Sequence, residues 1–134
     1  MVFGFFKKKP DNGKAALEVM STVLQVQLTL GGDGASTVSG DNWALGYIFG
    51  FHDSVLQAFQ VNDQVKSMAI MAVSYRKLFG DQDIGAKLFR QCLDLQQNQT
   101  FMTGVFAGGG EGVAYLREGT PPMGLASHLQ SKNS

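Results

Sequence analysis

Few side chains in this sequence are of the types that bind metal ions or act as nucleophiles. The 134 residues include one cysteine and two histidines. A metal site needs three or four converging ligands, so a site here would have to be built from carboxylates. Asp81 and Asp83 form an acidic pair at the start of a predicted helix, where helix capping explains both residues. We therefore predict no metal site and no cofactor.

Cys92 could act as a nucleophile only if a neighbouring base or cation favoured its thiolate. It lies within an apolar stripe of a predicted helix, together with Leu88 and Leu95. A thiol in that setting is usually inert packing, so no catalytic residue is assigned. The lone cysteine cannot form an internal disulfide, which is consistent with a reducing compartment without requiring one.

His52 and Asp53 are adjacent residues of types that catalyse reactions. Adjacent His-Asp pairs occur in a family of metal-dependent phosphohydrolases, but that family also needs a histidine earlier in the chain, and the only other histidine here is His128. Neighbours in a helix point about 100° apart, so the pair cannot form a catalytic dyad by itself. The spacing of His52 with apolar residues predicts a buried, hydrogen-bonded imidazole. The polar residues that would line an inter-helix pocket are His52, Asp53, Tyr75 and Arg76.

Two glycine-rich segments, residues 31–34 and 108–112, could cradle a phosphate with their backbone N–H groups. Neither is followed by the Lys-Ser or Lys-Thr of a P-loop, and neither follows a convincing strand. Asp33 and Glu111 would repel an anion. We interpret both segments as turns or helix caps.

Hydrophobic spacing predicts an all-α, single-domain bundle of about five helices. The helix predicted over residues 64–79 is apolar nearly all round, which is typical of a helix at the centre of a bundle. The five predicted helices cover residues 14–30, 42–60, 64–79, 83–97 and a segment that runs from residue 99 into the glycines.

The glycines at the end of that last segment predict a break or kink near residues 108–112. Each glycine in a helix interior costs about 0.5–1 kcal/mol relative to alanine. We divide the chain into a basic and aromatic N-terminal tail (1–13), a helical domain (14–120) and a C-terminal tail (121–134).

The chain has a formal net charge of zero, but its charged residues are unevenly distributed. Residues 1–14 carry four lysines against one aspartate, and the remainder carries seven basic against ten acidic residues. This mildly acidic body argues against nucleic acid as a partner. No run reaches the roughly 18 apolar residues of a membrane-spanning helix, and no secretory signal is recognisable. We expect a cytoplasmic protein, whose phenylalanine- and lysine-rich tail either touches a membrane surface or docks on the body.

Two predicted helices each carry a face of small residues at every fourth position. One face consists of Gly46, Gly50, Ser54 and Ala58, and the other of Gly104, Gly108 and Gly112. Such a face lets another backbone approach closely and gain dispersion contacts. We predict that these two helices pack together, or that one face packs across a dimer axis.

Only 16% of the residues are charged, against about 25% in typical soluble domains. Together with the small-residue faces, this favours a non-enzymatic helical protein that acts through protein–protein association as a homo-oligomer, such as a homodimer. One alternative is a small-molecule-binding domain or enzyme with an inter-helix pocket. Another is a peripheral membrane-surface protein anchored by the N-terminal tail.

Overall fold

A computed structural model describes residues 12–32 and 35–133. The predicted N-terminal tail lies outside the described residues, except that Asn12 and Gly13 already belong to the first helix. The membrane contact considered for that tail therefore also falls outside them.

The described residues form seven helices and no strand, which confirms the all-α prediction but not the count of about five. The two additional helices lie between the first two predicted helices and in the predicted C-terminal tail. None of the helices in residues 12–32 and 35–133 has the length and hydropathy needed to cross a bilayer. In chain order the helices are α1 (Asn12–Gly31), α2 (Ala35–Ser39), α3 (Asn42–Ala58), α4 (Gln64–Phe79), α5 (Gln82–Asp94), α6 (Gln99–Glu118) and α7 (Gly124–Asn133).

Most helix ends lie at residues of the types that cap helices. The side chains of Asp41 and Asp63 each accept a hydrogen bond from the backbone N–H three residues further on, at the starts of α3 and α4. Asp81 caps α5 in the same way. Gly80 follows α4 with a φ of 66°, a left-handed conformation that is unfavourable for a residue with a Cβ. Capping is a local interaction, so these boundaries were predictable from short stretches of sequence.

Helix α3 lies at the centre of the bundle. Ten of its seventeen residues are buried, and it packs on α1, α2, α5, α6 and α7. The prediction that residues 64–79 form the central helix is wrong, because only four of the sixteen residues of α4 are buried. Val65 and Val73 on α4 are exposed. An apolar side chain is not required to be buried, so a fully apolar pattern does not by itself place a helix at the centre.

No break interrupts α6 at its glycine-rich segment. The helix is continuous from Gln99 to Glu118 and includes the three consecutive glycines 108–110, so the predicted break is wrong and the alternative, a kink, is not confirmed. Three glycines in a helix cost roughly 2–3 kcal/mol relative to alanines. The close packing of α6 on α3, described below, offsets this penalty.

The C-terminal segment is part of the folded body rather than a tail. Leu125, Ala126 and Leu129 on α7 are fully buried, and α7 packs on α1, α3 and α6. A Cβ on Gly31 would press on the side chain of Leu129, so the end of α1 lies directly against α7. Helix α7 has only ten residues, too few for its hydrophobic spacing to be read securely.

Candidate functional site

Backbone lies directly against backbone where α3 meets α6. A Cβ built on Gly46 would overlap the carbonyl oxygen of Phe101, and a Cβ built on Gly50 would overlap the carbonyl oxygen of Val105. The glycine face of α3 is therefore covered by α6 of the same chain. Because the contact is intramolecular, these glycines are not available to a second copy.

The small residues of α6 complete the contact from the other side. A Cβ on Gly108 would overlap the carbonyl oxygen of Tyr47, and a Cβ on Gly112 would overlap the hydroxyl of Ser54. Ala58, the last member of the predicted face on α3, is exposed and lines the wall of a surface cleft. The close contact thus spans Gly46 to Ser54 and ends before Ala58.

The opposite side of α6 is exposed. We call Phe106, Gly110, Val113 and Arg117, which are spaced by four, three and four residues, the α6 outer face. Phe106 is 74% exposed and Val113 is 38% exposed. A Cβ on Gly110 would meet no atom within 4 Å, so packing among the described residues does not account for this glycine. A cleft of about 530 Å³ runs between the α6 outer face and α3.

His52 is fully buried between α3 and α4. Its Nδ1 lies 2.7 Å from the carbonyl oxygen of Ile48, and its Nε2 lies 2.7 Å from the hydroxyl of Ser74. Because a carbonyl can only accept, Nδ1 carries the proton and Nε2 accepts from Ser74. Burial lowers the pKa of His52 to about 4, while the hydrogen bond to Ile48 acts in the opposite direction. The imidazole is therefore neutral, and it is buried and hydrogen-bonded as the sequence pattern predicted.

A serine hydroxyl bonded to a histidine nitrogen is also the geometry of an activated nucleophile. Here both side chains are fully buried, so a substrate has no access to them in this conformation. A backbone carbonyl, rather than a carboxylate, orients the imidazole. The pair therefore connects α3 to α4 inside the core.

Tyr75 and Cys92 form the next buried polar contact. The ring of Tyr75 stacks on His52 with centroids 5.1 Å apart, and its hydroxyl lies 3.3 Å from the Cys92 sulfur. Burial raises the pKa of the Cys92 thiol to about 12 and raises the pKa of Tyr75 well above its ordinary value. The thiol is therefore protonated and unreactive, in agreement with its place in an apolar stripe.

The structure does not bring the four candidate pocket residues together. His52 and Tyr75 are in contact, but inside the core. Asp53 is exposed on α3, where it accepts a hydrogen bond from Gln57, and Arg76 is exposed on α4. The surface cleft between α3 and α6 is lined by Asp53 but not by His52, Tyr75 or Arg76. Within residues 12–32 and 35–133, no three or more His, Cys, Asp or Glu side chains cluster as metal ligands.

A buried polar network holds α7 in place. The Gln27 side-chain carbonyl accepts hydrogen bonds from the backbone N–H groups of Leu125 and Ala126, at 2.9 and 3.1 Å. Glu111 accepts from the N–H of Gly124 at 2.9 Å and from the Tyr47 hydroxyl at 2.6 Å. Two side chains thus satisfy N–H groups at the start of α7 that have no partner within the helix.

The same network connects α1 to α3 and fixes the ionisation of Tyr47. The Gln27 amide donates to the Tyr47 hydroxyl at 3.0 Å. Burial raises the pKa of Tyr47, and its hydrogen bond to Glu111 raises it further. The phenol therefore stays protonated and acts as a donor to the carboxylate.

Replacing Gln27 by leucine is expected to lower the free energy of unfolding by about 2 kcal/mol, because two buried N–H groups lose their acceptor. Gln25→Leu, at an exposed position two residues away on α1, is the matched control and should change stability by less than about 0.5 kcal/mol. Urea denaturation of both variants measures the difference. Equal stability of the two variants would show that Gln27 is dispensable for docking α7.

The outer side of α7 binds the residue that caps α3. Asp41 Oδ2 lies 2.7 Å from His128 Nε2 and 2.9 Å from Lys132 Nζ. Burial raises the pKa of Asp41, but the hydrogen bonds from Ala44, Lys132 and His128 outweigh it, so the pKa is lowered overall. Asp41 therefore remains ionised and joins α3 to α7.

Comparisons with known proteins do not add a function to this geometry. No protein-family model matches the sequence, and no curated protein or solved structure matches the chain significantly.

Sequence reasoning missed Gln27 and Phe106, although both carried a signal. Leu24 lies four residues after Met20 and Gln27 lies three residues after Leu24, so Gln27 falls on the buried stripe of α1. A buried glutamine needs hydrogen-bond partners, which predicts a neighbouring helix end or polar side chain. Phe106 lies two residues from both Gly104 and Gly108, about 200° around the helix, and so points away from the packed face.

Proposed function

We propose that this protein acts without catalysis, by associating with another protein surface, and that it forms a homo-oligomer. The observation that carries the proposal is the α6 outer face, where Phe106 is 74% exposed beside Val113. Burying a phenylalanine side chain contributes about 1.5–3 kcal/mol. Contiguous exposed apolar surface is typical of an association surface, and Phe106 and Val113, seven residues apart, lie on one face of α6.

The charge distribution along α6 supports the same proposal. Between residues 99 and 116 the only charged residue is Glu111, and it binds Tyr47 and the start of α7. The α6 outer face is thus uncharged until Arg117. The cores of protein interfaces are depleted of charged residues, while aromatic residues and arginine are enriched.

Gly110 is the third line of support. A glycine inside a helix costs about 1 kcal/mol relative to alanine, and no contact among the described residues requires one at this position. Close approach by a partner would offset that cost. The alternative function, a small-molecule pocket or enzyme site, lacks such support because its four candidate residues are split between the core and the surface.

Light scattering of the purified protein at tens of micromolar tests the proposal. We expect the wild type to be oligomeric and Phe106→Ser to weaken its self-association by roughly 30-fold, as is typical of an interface hot spot. Val65→Ser is the matched control, because Val65 is an apolar residue that is 78% exposed on a different helix, and it should not alter assembly. A monomeric wild type, or equal effects of the two substitutions, would overturn the proposal.

A further inference from the structure

The α6 outer face has an order of side-chain sizes that is complementary to itself. Phe106 has a large aromatic side chain and Gly110 has none. Val113 has a branched side chain, and the side chain of Arg117 is long and cationic. The spacing of four, three and four residues reads the same from both ends. A two-fold axis perpendicular to α6, midway between Gly110 and Val113, therefore places Phe106 of one copy level with Arg117 of the other. It also places Val113 of each copy level with Gly110 of the other.

We infer that a second copy of this chain binds the α6 outer face, with the two α6 helices antiparallel across a two-fold axis. The inference rests on the proposed function and specifies its partner and geometry. Because the contact is isologous, every favourable pair occurs twice. An unrelated partner would not require the side-chain sizes along this face to be complementary to the same face in the reverse direction.

The pairing of Phe106 with Arg117 is chemically complementary. Both ion pairs among the described residues are made to Asp41, so Arg117 has no ionic partner there. A guanidinium is attracted to the face of an aromatic ring, and arginine is the cation that most often makes this contact. The exposed ring of Phe106 is the matching surface on the partner copy.

The pairing of Val113 with Gly110 is sterically complementary. The space above Gly110 is open, since a Cβ built there meets nothing within 4 Å. A valine side chain from the partner copy fills that space, and the absence of a side chain at Gly110 lets the two helices come close. Close approach of the partner copy thus explains a glycine that intramolecular packing does not require.

Exchanging the side chains at positions 110 and 113 tests this geometry in the full-length chain. Gly110→Val and Val113→Gly should each raise the dimer dissociation constant by roughly ten-fold or more, the first by a clash and the second by a gap. In a mixed dimer of the two variants, position 110 of each copy again faces position 113 of the other with one valine and one glycine. Mixed dimers should therefore exceed the statistical half in native mass spectrometry. The double variant Gly110→Val/Val113→Gly should dimerise as well as the wild type.

Circular dichroism shows whether each variant is folded. If Val113→Gly is not folded, Val113→Ala replaces it and should give the same pattern with a smaller effect. If both single variants dimerise like the wild type, or if their mixture forms no excess of mixed dimers, the antiparallel arrangement is overturned. Disruption by Phe106→Ser would still support association through this face in that case. If Phe106→Ser has no effect either, both the inference and the proposed surface are wrong.

Discussion

Replacing Gly108 by alanine is expected to lower the free energy of unfolding by about 3 kcal/mol. The added Cβ would overlap the carbonyl oxygen of Tyr47, which belongs to the backbone of the central helix α3. A backbone carbonyl within a helix cannot move aside as the end of a flexible side chain can. The substitution must therefore push α6 away from α3 and weaken the packing along their whole contact.

The sign of this effect is opposite to that expected from helix propensity. Alanine normally stabilises a helix relative to glycine by about 0.5–1 kcal/mol. Gly110→Ala, two residues further along the same helix, should show this normal gain in the monomer, where its Cβ would meet open space. Denaturant unfolding of both variants at the same protein concentration, below the dimer dissociation constant, measures the contrast. If Gly108→Ala were as stable as Gly110→Ala, α6 and α3 could not be in backbone contact.

Lowering the pH from about 6.5 to 4 is expected to remove about 3 kcal/mol of stability through His52. The ordinary pKa of 6.5 applies in the unfolded chain, and burial lowers the pKa to about 4 in the folded protein. Between these values the unfolded state binds a proton that the folded state does not bind. Stability therefore falls as the pH drops below 6.5, and the loss is complete below about 4.

The double variant His52→Leu/Ser74→Ala isolates this contribution. Replacing both partners by apolar groups leaves no unpaired hydroxyl or imidazole in the core, whereas His52→Leu alone would leave the Ser74 hydroxyl without its acceptor. The difference in unfolding free energy between wild type and double variant should change by about 3 kcal/mol across this pH range. Urea titrations at several pH values measure it. A difference that does not depend on pH would show that His52 is not buried as a neutral base.

Other acidic and basic groups do not obscure this measurement. The pKa of Asp41 is lowered below its ordinary value of 3.8, so the stability it contributes is lost only at more acidic pH. Its contacts with His128 and Lys132 are present in both proteins and cancel in the difference.

Helix α6 uses its glycines for two different purposes. Gly104 and Gly108 face α3 and allow backbone contact within the chain, whereas Gly110 faces outward beside Phe106. The glycine-rich composition that suggests a break in a helix is here divided between the core and a candidate interface. Substitutions on the two sides of the same helix should therefore affect different properties, stability on one side and assembly on the other.

The helical class, most helix boundaries and the small-residue faces were predictable from local sequence patterns. Asp41, Asp63 and Gly80 end or begin helices through hydrogen bonds and backbone conformations that involve only neighbouring residues, so their effect is visible locally. The matching four-residue spacing of small residues likewise indicated which two helices could approach closely. His52 could be assigned to the core because it falls on an apolar stripe of its own helix.

Contacts between elements that are distant in sequence determine which helix is central, whether α6 is continuous and what the buried polar groups bind. His52 binds Ser74 across 22 positions of sequence, and Gln27 binds the start of α7 across 98 and 99 positions. The position of a helix and the partners of its polar groups depend on surfaces contributed by two or more elements. The packing of α6 on α3 outweighs a local penalty of roughly 2–3 kcal/mol for three glycines, and no local pattern contains that packing term.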